Sequence, residues 1–346
     1  MSLRTHLYKS LSGSSFVVHT ARKLFANRLL NDSSLYGAFC CRMARRFHAE
    51  RPHGSLNIHV ETTSFCNARC LMCTKTSCPI NDGRMSDTLF QQIIGEAKAG
   101  GVKSVCLSVY GEPLMDPHFL DRARLVEEAG LDFRFFTNVS LLDENMSLSL
   151  LQFKHLKWVN FSINGFSQEV FERISRGLRK NTVYENALRF LELRKRLRPD
   201  LRVVVSCVLF GDNMLERRAF RNFWGNKADI ELTLPRNRAG TPLDAEATGY
   251  PIEFSPLAEK DHKLLPCKYL WEDLFIYWNG DVGVCCEDVA ARRLVIGNLR
   301  EQSLMDIWEG PELQRLRELH LKGQRHLHPV CGKACSYNTI WLKPAM

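Results

Sequence analysis

The sequence predicts an α/β chain: a partial (β/α)6 barrel followed by a small α+β domain built from a β-hairpin and a helix. Three observations carry this expectation. Apolar, β-branched runs alternate with helical patterns along residues 55–234. A stretch rich in Pro, Gly, Thr and Ala interrupts the rhythm at 235–262. Two alternating runs then flank Asn279-Gly280. Strand and helix in repeated succession argue for a parallel sheet with crossover helices. The strand runs are 55–61, 103–109, 131–136, 156–163, 201–208 and 228–234, with helical patterns between them, as at 87–99, 118–129 and 183–196. Six such units are fewer than the eight of a closed barrel, so the sheet stays open. Asn-Gly is the strongest short hairpin signal, because a type I′ turn needs positive φ at both central residues. A helix from about Ser303 to Leu321 follows. The chain thus divides into a basic N-terminal helical extension (1–54), the barrel (55–234), a linker (235–262) and a C-terminal domain (263–346).

Hydrophobic residues at 45% and charged residues at 25% are ordinary globular values and exclude collagen, coiled coil and wholesale disorder. No run approaches the roughly 18 apolar residues of a membrane span. Residues 1–54 hold nine Lys/Arg and two Asp/Glu, which is +7 of the total +9 and leaves +2 for the remainder. A body so nearly neutral argues against a nucleic-acid partner. Within the extension, segment 16–30 sets Val17, Ala21, Leu24, Phe25 and Leu29 at helical spacing among Arg22, Lys23 and Arg28. It reads first as a helix packed on the body. Contact with an anionic membrane surface or an acidic partner, and an organelle transit segment, are the two other readings. Cys40 and Cys41 read as packing residues.

Thirteen cysteines are too few per residue for a disulfide-stapled secreted domain, so their grouping matters more than their number. The loop after the first strand reads Cys66-Asn-Ala-Arg-Cys70-Leu-Met-Cys73. Three thiolates so spaced at the carboxyl end of a strand can hold three irons of a [4Fe–4S] cube and leave the fourth iron open. Zinc with Cys78 as a fourth ligand is the competing reading, and a disulfide with one thiol left over is a weaker one. The second strand runs into Tyr110-Gly111-Glu112-Pro113, the third ends at Thr137-Asn138, and the fourth at Ser162-Ile-Asn164-Gly165. Chemistry in such sheets gathers at the carboxyl ends of the strands, so these polar groups form a rim facing the cysteine loop.

With these residues, the stretch 55–234 resembles the radical S-adenosylmethionine (radical SAM) superfamily, whose core is a partial TIM-like barrel. The resemblance implies that Cys66, Cys70 and Cys73 ligate a [4Fe–4S] cluster whose open iron binds S-adenosylmethionine. It implies that Gly111 and Glu112 contact the methionyl ammonium and Asn138 and Ser162 the ribose or carboxylate. Arg176 pairs with the carboxylate on this reading, with Arg173 the other candidate. Two departures are visible: Tyr110 where a second glycine is usual, and Met72 where an aromatic is common.

The C-terminal stretch carries Cys267, Cys285-Cys286 after the hairpin, and Cys331-Gly-Lys-Ala-Cys335. Spacing alone leaves zinc and a closed iron–sulfur cluster open. With Trp271, Asn279-Gly280, Ile296-Gly297-Asn298 and Ile307-Trp308 around them, residues 263–337 resemble the SPASM or shorter twitch auxiliary-cluster region. That resemblance implies one auxiliary [4Fe–4S] cluster on Cys267, Cys285, Cys331 and Cys335. Cys285 and Cys286 are consecutive on a strand and point to opposite faces. Cys286 is therefore a packing thiol or a hydrogen-atom donor facing substrate. Cys106 and Cys207 sit in buried strands as small apolar residues.

The expected activity is reductive cleavage of S-adenosylmethionine, followed by hydrogen abstraction from a hydroxylated small molecule such as a sugar or aminocyclitol. The auxiliary cluster then accepts an electron, and the outcome is dehydrogenation. Peptide maturation and radical epimerisation are alternatives, and a zinc-bearing binding module is the alternative from another class. Arg236 and Asn237, just past the last strand, are placed to face substrate. Clusters need reducing surroundings, so the expected location is cytoplasmic, with a flavodoxin- or ferredoxin-type electron donor.

Overall fold

The computed structural model describes residues 42, 56–75, 78, 81–209, 211–233 and 266–334. The expectations for the N-terminal extension, the linker, Arg236, Asn237 and Cys335 lie outside the described residues.

The strands in chain order are β1 (Asn57–Val60), β2 (Arg69–Cys70), β3 (Ser104–Cys106), β4 (Asp132–Thr137), β5 (Leu156–Ser162), β6 (Ser175–Arg176), β7 (Arg202–Val208), β8 (Asp229–Thr233), β9 (Asp273–Ile276), β10 (Asp281–Gly283) and β11 (Val295–Asn298). The helices are α1 (Asp87–Ala99), α2 (Phe119–Glu128), α3 (Glu144–Leu150), α4 (Gln168–Ile174), α5 (Lys180–Leu197), α6 (Asn213–Trp224), α7 (Tyr269–Glu272), α8 (Leu304–Glu309) and α9 (Pro311–Leu321). Nine strands form one sheet in the order β11-β10-β9-β1-β3-β4-β5-β7-β8. The six predicted barrel strands are all present and pair in parallel.

Side chains alternate across the sheet with period two. Ile58, Val105, Phe133, Phe135, Val159, Phe161, Val203 and Val205 enter the core shared with the helices. The other face carries His59, Cys106, Arg134, Phe136, Trp158, Asn160 and Ser206, so the concave side is far more polar. The helices seat on the first face because their apolar stripes match it. In α1, Leu89, Phe90, Ile93, Ile94 and Ala97 are buried. Ser86 caps α1 by accepting from the Leu89 N–H, an interaction whose loss costs about 1 kcal/mol.

The C-terminal domain extends the barrel sheet instead of forming a sheet of its own. β9 pairs in parallel with β1, and β10 and β11 follow antiparallel. Glu61, at the end of β1, is buried and accepts from Arg292 Nη2 (2.8 Å) and the Trp278 N–H (3.2 Å). Burial pushes its carboxyl up, while Arg292 opposes that shift. Arg292 lies over the Tyr277 ring at 4.0 Å.

Two expectations need correction. The Asn279-Gly280 turn is not type I′, because only Gly280 has positive φ, at +94°. The Gly280 N–H donates to Tyr277 O and the Tyr277 N–H to Asp281 O, which is a type I turn followed by a left-handed glycine. The single helix expected at 303–321 is two. Pro311 offers no N–H and holds Gly310 extended at ψ 160°, so α8 stops and α9 restarts.

Candidate active site

Every barrel strand delivers its carboxyl end to one rim, and the cysteine loop 61–75 lies across it. Cys66, Cys70 and Cys73 line a single cavity of about 260 Å³. Its wall also includes Met72, Thr74, Tyr110, Gly111, Glu112, Phe136, Asn138, Ser162, Cys286 and Val289. The structure thus brings together the three cysteines and four of the five predicted nucleotide contacts.

The loop is held from several sides. β2 pairs antiparallel with β6, setting Arg69 opposite Arg176 and Cys70 opposite Ser175. Lys75 Nζ donates to Ser64 O and to Asp82, both at 2.6 Å. Asn138 Nδ2 donates to Asn67 Oδ1 at 2.8 Å, which ties the residue after Cys66 to the end of β4. Gly111 has φ +89°, and a Cβ there would stand 2.7 Å from the backbone of Ser64 and Phe65. The close approach that needs a glycine is to the cysteine loop itself.

Glu112 is buried beside this contact, and its N–H donates to Phe65 O at 2.8 Å. Its Oε1 accepts from Thr137 Oγ1 (2.8 Å) and the Leu114 N–H (3.2 Å), and its Oε2 from the Asn138 N–H (2.6 Å). Burial pushes its carboxyl up to about 7 against those three donors. Arg176 is half-buried in the β2–β6 ribbon and is not among the residues lining the cavity. Arg173 is ion-paired with Asp212. Cys78 lies outside the cavity wall, its N–H donating to Thr74 O.

The donor set fits an iron–sulfur cube better than a single zinc ion. The three thiols surround a shared space, yet among the described residues no three Cys, His, Asp or Glu side chains converge as around one metal ion. Burial pushes Cys66 up to about 11 and Cys70 up to about 12. Thiols so desolvated stay protonated without a cation to draw the proton off.

In the second constellation, Cys267, Cys285 and Cys331 pack on the main core, as Cys66 and Cys70 do. Cys286 packs with Phe275, Tyr277, Val289 and Tyr110, and lines the cavity. β10 ends at Gly283, so both thiols lie in the turn after it and not on a strand as expected, and their different surroundings do not come from strand alternation. Histidines brace the other cysteines: the Cys267 N–H donates to His320 Nδ1 and the Cys331 N–H to His328 Nδ1.

Two features had no sequence signal. Ser175 stands opposite Cys70 in the β2–β6 ribbon, and Tyr110 Oη meets Thr74 Oγ1 at 3.1 Å. A third appears on the concave face, where His59 and Asp273 meet at 3.0 Å across β1 and β9. Burial disfavours the His59 charge, but Cys106 and Asp273 outweigh it and hold its pKa up at about 9. Cys106 is therefore more than an apolar filler: burial raises its pKa, and His59 draws it down further. Cys207 is an ordinary packing thiol, pushed up to about 12 by burial.

A family model described as the Radical SAM superfamily matches residues 60–223, and one described as an iron-sulfur cluster-binding domain, SPASM, matches residues 267–336. The tungsten-containing aldehyde ferredoxin oxidoreductase cofactor-modifying protein of Pyrococcus furiosus is 24% identical, over 79% of this chain and 85% of its own. Streptococcus suis SuiB bound to its precursor peptide SuiA superposes with a TM-score of 0.62 at 17% identity, covering 88% of this chain and 76% of SuiB. BtrN in complex with AdoMet and 2-DOIA gives 0.54 at 16% identity, over 80% and 91%. anSMEcpe with bound AdoMet gives 0.59 at 14% identity, over 81% and 89%. These structures share the fold. Among the described residues, no helix is long and apolar enough to cross a membrane.

Proposed function

The chain belongs to the radical SAM superfamily and carries a SPASM iron–sulfur domain, and from that premise we propose that it dehydrogenates a hydroxylated small molecule such as a sugar or aminocyclitol. Its cofactors are a [4Fe–4S] cluster, S-adenosylmethionine and auxiliary iron–sulfur. When bound, these supply a 5′-deoxyadenosyl radical that takes a hydrogen atom, and an acceptor for one electron.

The protein's part is to hold and orient. Cys66, Cys70 and Cys73 hold the first cluster. Cys267, Cys285, Cys331 and Cys335 hold a single auxiliary one. Gly111 and Glu112 receive the methionyl ammonium; Glu112 Oε2, with one donor, keeps a lone pair for it. Asn138 and Ser162 flank the ribose, and Arg176 serves the carboxylate from beside the loop. The β2–β6 ribbon, the Asn67–Asn138 bond and the Gly111 contact keep the loop seated, so the reacting groups meet without rearrangement.

The observation that supports the dehydrogenase reading is the adjacency of Cys286 to Cys285 in the turn after β10. Cys286 lines the cavity, while Cys285 belongs to the auxiliary set, so the acceptor's ligand is one residue from the reaction space. The test is anaerobic incubation with S-adenosylmethionine, reductant and carbon-deuterated polyols. Deuterium in 5′-deoxyadenosine together with a ketone product is the expected result. Labelling from a peptide, with none from any polyol, refutes the substrate class.

Cys286 also favours a second reading, radical epimerisation, in which its thiol returns a hydrogen atom to the substrate. Solvent deuterium in the product, lost in Cys286→Ala, would identify that outcome; an oxidised product without solvent deuterium supports dehydrogenation. A peripheral contact through residues 1–54 and an acidic flavodoxin- or ferredoxin-type donor complete the proposal. Deletion of 1–54 with donor affinity measured before and after tests the first of these.

A further inference from the structure

The concave face of the sheet is unevenly covered. On the β9, β1 and β3 side, Phe275, Tyr277 and Val289 pack with Val109, Tyr110 and Cys286. On the β4 and β5 side the face stays open. Phe136, which lines the cluster cavity, is 37% exposed, and Trp158 beside it is only partly buried. Their rings meet edge to face at 5.2 Å. Large aromatic surface left uncovered in a concavity marks a place where a ligand packs.

Below these rings stands Arg134, two residues before Phe136 on β4 and so about 7 Å further down the face. Its guanidinium lies 5.7 Å from the Trp158 ring, and Nη1 donates to Ser104 Oγ at 2.9 Å. Both partners are neutral. The other charges on this face are matched. His59 meets Asp273, and the Cys106 thiol, opposite Arg134 in the sheet, donates to the Ser108 carbonyl and is drawn down by His59 and, less, by Arg134. Arg202 meets Asp229 at 2.6 Å. Asp132, at the foot of β4, is occupied by His155 at 3.0 Å and Lys157 at 3.3 Å. Glu231 lies on the edge strand β8, three strands from β4 and so about 14 Å away. Among the described residues, no carboxylate forms an ion pair with Arg134. Its charge partner in the sheet is a thiol and only one of its five donors is engaged by Ser104, and a planar fork of donors is suited to a carboxylate or phosphate.

We infer that the open half of the barrel lumen is the substrate site, and that Arg134 receives a carboxylate or phosphate carried by the substrate. Phe136 and Trp158 pack against its body, and the carbon to be attacked lies at the cavity end. The span from Arg134 to the cavity suits a single hydroxylated ring bearing one acidic group. This rests on the small-molecule reading above and narrows it to acids or phosphate esters.

The test is calorimetric titration of the anaerobically reconstituted enzyme, loaded with S-adenosylmethionine, with glucuronate, glucose 6-phosphate and glucose. At least one acidic sugar is expected to bind roughly ten- to hundred-fold more tightly than glucose, the scale of a charge-assisted bidentate contact. Which of the two binds separates carboxylate from phosphate. Arg134→Gln should abolish that preference and Arg134→Lys should keep part of it. Iron content and the spectral response to S-adenosylmethionine report whether each variant is intact, and Arg134→Lys decides the matter if the glutamine variant is not. Equal binding of all three sugars, binding of none, or an unchanged preference in the variants overturns the inference. Failure to form 5′-deoxyadenosine would instead refute the radical reading, leaving anion binding standing.

Discussion

Replacing Gly111 by alanine separates a glycine needed for its backbone from one needed for contact with the cysteine loop. At φ +89° any side chain is strained, at about 1–2 kcal/mol. The new Cβ also stands 2.7 Å from the Ser64 and Phe65 backbone, so the loop must retreat by about 0.7 Å to reach ordinary contact. Overpacking of this kind adds about 1–3 kcal/mol. Together the cost is about 2–5 kcal/mol, so the seated loop is disfavoured at least roughly thirty-fold. Gly130 is the control: its φ is +73°, but nothing lies within 4 Å of its Cβ direction, so only the backbone cost applies. Denaturant melts and iron content after anaerobic reconstitution are the assays. Gly130→Ala should lose modest stability and keep its iron. Gly111→Ala should lose more stability and fail to load or hold the first cluster. Equal stability and iron in the two variants would refute the claim that Gly111 seats the loop.

Other expectations follow from single contacts. Arg292→Ala leaves the Glu61 carboxylate buried without its cation and should cost about 3–5 kcal/mol in a denaturant melt, against a smaller loss for the neutral Glu61→Gln. His59 holds its proton to about pH 9 when folded and to about 6.5 when unfolded, so unfolding releases a proton between those values. Stability should be full below about pH 6.5 and fall as pH rises through about 9, by at most about 3 kcal/mol, with His59→Gln flattening the profile. Cys285→Ala should lose about four irons, one cube, while Cys286→Ala retains them.

The barrel was legible because its signal is local. The runs at 156–163 and 201–208 became β5 and β7 nearly to the residue, and the pattern at 87–99 became α1 end to end. The cysteine loop and the polar rim were legible from their places at strand ends. What escaped depends on distant partners. Nothing in Asp273–Ile276 says that it pairs in parallel with β1, more than 200 residues away, and so completes one sheet. Glu112 reads as a ligand in sequence; only the fold shows Thr137, Leu114 and Asn138 donating to it. The guanidinium of Arg134 on the concave face is likewise invisible, because DFRFFT reads as an ordinary strand. The break at Gly310-Pro311 was written in the sequence, but the apolar period runs across it.

The most direct measurement is the electron paramagnetic resonance spectrum of the reduced, anaerobically reconstituted enzyme with and without S-adenosylmethionine. A change in the signal that disappears when Cys66, Cys70 and Cys73 are replaced together, while a second cluster signal persists, is the expected result. A spectrum indifferent to the nucleotide would contradict an open iron at the mouth of the sheet.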